Sequence, residues 1–159
     1  IRLSGFENNK GSVNENKQLA MRLEELDYLY KLKSKVTIES MDLDILSFLV
    51  KKNWVTAYTI PTLLLHSYNV DEINESPKKI LRSLYADVQN LGIDIITFDS
   101  QYYNYVKTNI EPYLPNDINY YVYISGTHLN DHKFIDKLGN TQYSANDTRV
   151  KRLVISFQL

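Results

Sequence analysis

The chain has no cysteine. That removes disulfide staples, thiolate catalysis and cysteine-built zinc sites together, and it fits a reducing compartment, cytoplasmic or nuclear. Long apolar runs are missing as well: none approaches the roughly 18 residues of a membrane span, and the longest is broken by Lys51 and Lys52. No membrane contact is expected. Net charge is scarce, −1 over 159 residues, so the chain is not a generic polyanion binder and any nucleic-acid contact must come from local charge. A glycine-rich phosphate loop, a G-x-S-x-G elbow and a Cys/His dyad are all absent from the sequence, and no cofactor is expected.

What remains is ordinary globular composition, 43% hydrophobic and 23% charged, long enough for one domain with an appended subdomain and a real core. The start at Ile1 rather than Met suggests a piece of something larger, with any catalytic domain elsewhere. No catalytic activity is expected in this chain.

Residues 1–13 are polar, hold two of the five glycines and read as a linker or arm. From 15 to 34, Leu19, Leu23, Leu26, Leu29 and Leu32 recur at helical spacing, which predicts an N-terminal helix packing on the domain within residues 14–38. The same stripe offers a seam for a homodimer or a partner protein. A second helix is expected from Asp42 to about Asn53, then a short extended Trp54-Val55-Thr56, then a third helix capped by Thr59 with Pro61 in its first turn.

The run from Ser76 to Lys107 is the most informative stretch. Ser76 is placed to cap a helix, Pro77 to fill its first turn, Ile80, Leu84, Val88 and Leu91 to bury one stripe, and Gly92 to supply a left-handed stop. Its other face carries Lys78, Lys79, Arg82, Ser83 and Gln89, the cations and bidentate side chains that a DNA-reading helix requires. After Gly92 the period changes to two: Ile93, Ile95 and Thr97 point one way, Asp94, Ile96 and Phe98 the other. With Asp99-Ser100-Gln101 as a turn and Tyr102–Val106 as a returning strand, this predicts a β-hairpin directly after a basic helix.

On these residues the segment 42–111 resembles the winged helix-turn-helix of the biotin operon repressor and DeoR-type regulators, with Leu91-Gly92-Ile93 and Tyr103 or Tyr105 matching best. The resemblance implies a winged helix-turn-helix over residues 39–111, which with the N-terminal helix and a small β-rich C-terminal extension over 112–159 gives an expected α+β fold. It implies double-stranded DNA as partner, with contact through Ser76, Lys78, Lys79, Arg82 and Ser83 and wing support from Ser100 and Gln101. The expected function is that of a nucleic-acid-binding module of a transcriptional regulator, replication initiator or restriction-type protein. A protein-interaction winged helix is the alternative.

In the extension, 118–125 and 151–158 read as strands that pair in a small second sheet, and Arg149, Lys151 and Arg152 form a third basic group able to extend a phosphate track. Tyrosine is abundant, 13 residues, which fits base stacking or a half-buried sheet. A distant alternative is a metal-dependent nuclease built on Asp117, Asp131 and Lys133. His66, His128 and His132 offer metal ligation only through the i, i+4 pair of the last two.

Overall fold

Five parallel strands, hydrogen-bonded to one another in the order of the chain, make the centre of the molecule. They are β1 (Thr37–Ser40), β2 (Val55–Thr59), β3 (Ile95–Asp99), β4 (Asn119–Gly126) and β5 (Val150–Phe157). Among the described residues the helices are α1 (Val13–Tyr30), α2 (Leu43–Val50) and α3 (Glu75–Leu91), followed by a run of short helical turns over residues 100–113. The structure is a computed structural model and describes residues 13–61, 75–126 and 146–157, without the side chains of 75–82, 125–126 and 155–157.

Parallel neighbours need a crossover between them, and here α2 lies between β1 and β2, α3 between β2 and β3, and the turns over 100–113 between β3 and β4. Right-handed crossovers between strands in sequential order put their helices on one face of the sheet. The helices begin and end for local reasons. Asp42 caps α2, its carboxylate accepting from the Asp44 N–H at 2.8 Å, and α3 stops at Gly92, whose φ of +69° suits a residue without a Cβ.

One set of alternate strand residues faces the helices. Ile38, Tyr58, Ile96, Phe98, Tyr120 and Val122 join Ile45, Leu46 and Leu49 of α2 and Tyr85 and Val88 of α3 in one buried cluster. Ile45, Leu46 and Leu49 have no exposed surface, and each contributes about 1.5–3 kcal/mol of transfer free energy. Phe98 and Tyr120 meet edge to face with centroids 5.5 Å apart, the arrangement that aromatic quadrupoles favour. Ala20 and Leu23 join α1 to this core.

The winged helix and its α+β class are therefore overturned: the sheet is all parallel and the fold is α/β. The expected hairpin fails at its second strand. Asp99 is not a turn residue between strands; its carboxylate accepts from the Gln101 N–H at 3.0 Å and opens a 3₁₀ turn. Residues 100–113 continue as helical turns that bury Tyr102, Tyr103, Val106 and Ile110. The β-propensity of Tyr and Val is outweighed there by burial on a crossover.

Three further expectations change. Helix α3 begins at Glu75, so Ser76 sits inside it rather than before it. Thr59 ends β2 instead of capping a helix, and the rest of that expected helix, from residue 62, lies outside the described residues. The two C-terminal strands form no second sheet, since β4 pairs with β3 (Ile95↔Asn119 to Asp99↔Tyr123) and β5 extends the same sheet beyond it.

Candidate functional site

The second set of alternate strand residues faces away from the helices and mixes polar groups with the apolar Ala57 and Ile95. The register aligns Thr59 with Thr97, Thr97 with Tyr121, and Tyr121 with Arg152, while Asp99 lies beside Tyr123 and Glu39 beside Ala57. A sheet of parallel strands is normally apolar on both faces, because both are covered. Here Glu39, only 6% exposed, and Thr97, fully buried, stand where Val or Ile would be usual.

These groups converge on one carboxylate. Glu39 Oε1 accepts from Thr59 Oγ1 at 2.8 Å and from Thr97 Oγ1 at 3.0 Å, the two threonine hydroxyls lie 2.8 Å apart, and the Tyr123 hydroxyl donates to Glu39 Oε2. Donors from β2, β3 and β4 thus hold an acid from β1. A buried carboxylate costs several kcal/mol unless hydrogen bonds replace its hydration, and these hydroxyls supply them.

The same contacts measure the curvature of the sheet. Strands β1 and β4 would be about 14 Å apart in a flat sheet, three spacings of 4.8 Å, yet the Tyr121 hydroxyl lies 3.3 Å from Thr37 Oγ1 and Tyr123 reaches Glu39. The sheet is curled, with the polar residues inside the trough. Thr59, Asp99 and Tyr123 lie toward the carboxyl ends of their strands, the end at which parallel α/β sheets build their ligand sites. Thr59, Asp99 and Tyr123 are half-buried and give access to Glu39. On the β5 side, the Arg152 guanidinium lies 4.8 Å from the Tyr121 ring centroid, a cation–π contact that keeps an exposed cation on the same face.

A second polar cluster occupies the opposite ends of β4 and β5. Lys107 pairs with Glu111 at 2.5 Å and Asp147 at 2.8 Å; Tyr103 donates to Asp147 and Tyr120 to Glu111, each at 2.8 Å; Arg149 donates to the Tyr120 hydroxyl at 3.2 Å. Burial alone would raise the Asp147 carboxyl, but hydrogen bonds from Lys107, the Arg149 N–H and Tyr103 hold it below the usual range. Burial opposes the Lys107 charge, yet Asp147 and Glu111 carry its ammonium above the ordinary lysine value. Burial, then the hydrogen bond and charge of Asp147, push the Tyr103 phenol up. Every charge here is answered by another, the pattern of a structural clamp.

The expected DNA-binding residues fall on α3, on the turn after β3 and at the start of β5. Ser76, Lys78, Lys79 and Arg82 belong to α3, but their side chains lie outside the described set; Ser83 and Gln89 are exposed on the same helix. Ser100 and Gln101 sit in the turn after β3, at the rim of the trough rather than on a wing. Arg149, Lys151 and Arg152 do not share one face: Arg149 is held by Tyr120 and Glu111, Arg152 stacks on Tyr121, and Lys151 sits at the register shift between them. Asp117 is exposed beyond the helical turns, whereas Asp131, Lys133 and all three histidines fall outside the described residues. Among the described residues no group of three His, Asp or Glu is placed to hold a metal ion.

Glu39 was missed by the sequence reading, although a signal exists. Glu39 directly follows the β-branched pair Thr37-Ile38, and a charged residue in so short a strand is an anomaly to be explained.

No protein-family model and no curated protein matches the chain. Among solved structures, one described as "The crystal structure of AsfvAP:AG" is similar, with 10% sequence identity and a TM-score of 0.44. The match covers 76% of this chain and 46% of that one, so the chain spans under half of that protein's length. A likeness at this level carries no argument about fold or function, and the assignments above rest on the strand pairing and side-chain geometry.

Proposed function

We propose that this chain binds a small polar ligand in the trough of its curled parallel sheet, with Glu39 as the recognising group. One observation carries the reading: a buried carboxylate on β1 is gathered by hydroxyls from three other strands. A sheet stabilised for its own sake would place aliphatic residues there, at lower cost than a buried acid. Preorganised polar groups in a concave site are what ligand recognition requires. An acceptor surrounded by hydroxyls suits a ligand rich in hydrogen-bond donors, such as a polyol or an amine. The aromatic faces of Tyr121 and Tyr123 add apolar area beside it.

The test is a thermal-shift screen of polyols, sugars, amines and amino acids against the wild type and Glu39→Gln. A ligand that stabilises the wild type and leaves the variant unmoved supports the reading. Equal stabilisation of both, or none of either, removes it.

A second reading keeps nucleic acid as the ligand, and one observation favours it: exposed Arg152 stacked on Tyr121, the pairing of cation and aromatic face that single strands use. Binding would then fall steeply with salt and weaken in Arg152→Ala. Salt-independent affinity, or full affinity in that variant, rules it out.

A further inference from the structure

A groove of about 510 Å³ runs between α1 and the end of α2 and shares no lining residue with the trough. Its floor is Ala20, Met21 and Phe48, and its walls are Lys17, Glu24, Glu25 and Lys52. The volume falls inside the range of about 300–1,000 Å³ typical of small-molecule sites. Met21 is 60% exposed, an unusual state for a floor residue and a reason to expect a cover.

The charges around this floor are unequally engaged. Glu24 accepts from Trp54 Nε1 at 2.7 Å and pairs with Lys33 at 2.9 Å. Glu25 pairs with Arg22 one turn away on the same helix. The Lys17 and Lys52 ammonium groups make no hydrogen bond or ion pair with another described residue; Lys52 acts on Glu24 only through space. The carboxylates are thus neutralised within the chain, while two cations face an apolar floor.

The geometry points to a site for an amphipathic anion, an aliphatic carboxylate whose chain covers Ala20, Met21 and Phe48 and whose head is met by Lys17 and Lys52. Each methylene withdrawn from water on such a floor adds about 0.8 kcal/mol of driving force at full burial, and the two ammonium groups select the sign of the head group. An acidic peptide shares the charge but needs a longer apolar track than these three residues provide.

Trp54 is the chain's single tryptophan and bonds directly to the groove wall at Glu24, so its emission reports on the site. The experiment titrates the whole chain with dodecanoate, below the concentration at which it self-associates, and follows Trp54 fluorescence. The expected result is a saturable change, weakened about tenfold in the Lys17→Glu, Lys52→Glu double variant, by the usual strength of two exposed ion pairs. Met21→Glu, which puts a carboxylate on the floor, gives a comparable loss, and circular dichroism checks that both variants keep the fold. Dodecyltrimethylammonium, the same chain with the opposite head, gives no saturable change. The inference is overturned by the absence of a saturable response to dodecanoate, by equal binding of the cationic amphiphile, or by unchanged affinity in the double charge reversal. It is equally overturned if an amphipathic Leu/Glu peptide saturates the signal while dodecanoate does not, which assigns the groove to a protein partner.

Discussion

The two ends of the sheet treat charge differently. Toward the carboxyl ends, the Glu39 carboxylate is gathered by the neutral hydroxyls of Thr59, Thr97 and Tyr123. At the amino ends of β4 and β5, Asp147 and Glu111 meet Lys107 and Arg149 directly, with Tyr103 and Tyr120 closing the ring. Opposite charges satisfy one another and tie elements together; here they fix the turns over 100–113 to the start of β5. Hydroxyls solvate the Glu39 carboxylate and hold it in place across strands β1 to β4. The proposed ligand site thus lies toward the carboxyl ends of the strands, where parallel α/β sheets build such sites, and the ion-pair clamp at the other end.

The largest effect is expected at a residue that belongs to neither end. Leu46 is fully buried in the shared core, and Leu46→Ala is expected to lower unfolding stability by about 2–5 kcal/mol in urea titration. A smaller loss would mean that the helix layer repacks easily and that stability cannot discriminate the two polar clusters.

Breaking the clamp comes next. Asp147→Asn keeps the shape but leaves Lys107 with one acidic partner fewer, and an expected loss of about 1–3 kcal/mol follows from a partly buried ion pair losing one member. The clamp also predicts a pH response. Because the folded Asp147 pKa is lowered, its contribution is present above the unfolded value of about 3.9 and is lost as pH falls through the folded value. Acid titration of the wild type should therefore destabilise it more steeply below about pH 4 than it destabilises Asp147→Asn. Parallel curves would show that the clamp stores no such energy.

At the other end, Glu39→Gln should cost at most about 1 kcal/mol, since the amide still accepts from the threonines and changes only the charge and one acceptor. A loss as large as that of Leu46→Ala would make the trough network structural. The smallest effect is expected at the surface: Arg22→Ala removes an exposed ion pair with Glu25 and should change stability by less than about 0.5 kcal/mol.

Much of the element pattern was legible in the chain. The Gly92 stop, the alternation over Ile95 to Phe98 and the two C-terminal strands are local signals that the structure keeps, although β3 begins at Ile95 rather than Ile93. The pairing was not legible, because a strand's period of two is the same whether its neighbour runs parallel or antiparallel. Asp99 shows the cost of that ambiguity: one carboxylate serves equally well at a hairpin turn or at a helical cap, and the choice converts a wing into a crossover. The trough was illegible for a related reason. Glu39, Thr59, Thr97 and Tyr123 are far apart in sequence, and only the register of four parallel strands makes them neighbours. The basic residues stood out instead, because clustered charge is visible in sequence whether or not it converges in space.

On this proposal the trough acid is held ready for a ligand. Isothermal calorimetry of the best ligand from the polar screen, run on wild type and Glu39→Gln at matched stability, tests it most directly. Saturable binding to the wild type is expected, with at least a tenfold weaker affinity in Glu39→Gln, the loss of one charge-assisted hydrogen bond of about 1.5–3 kcal/mol. Equal affinities in the two proteins would contradict it.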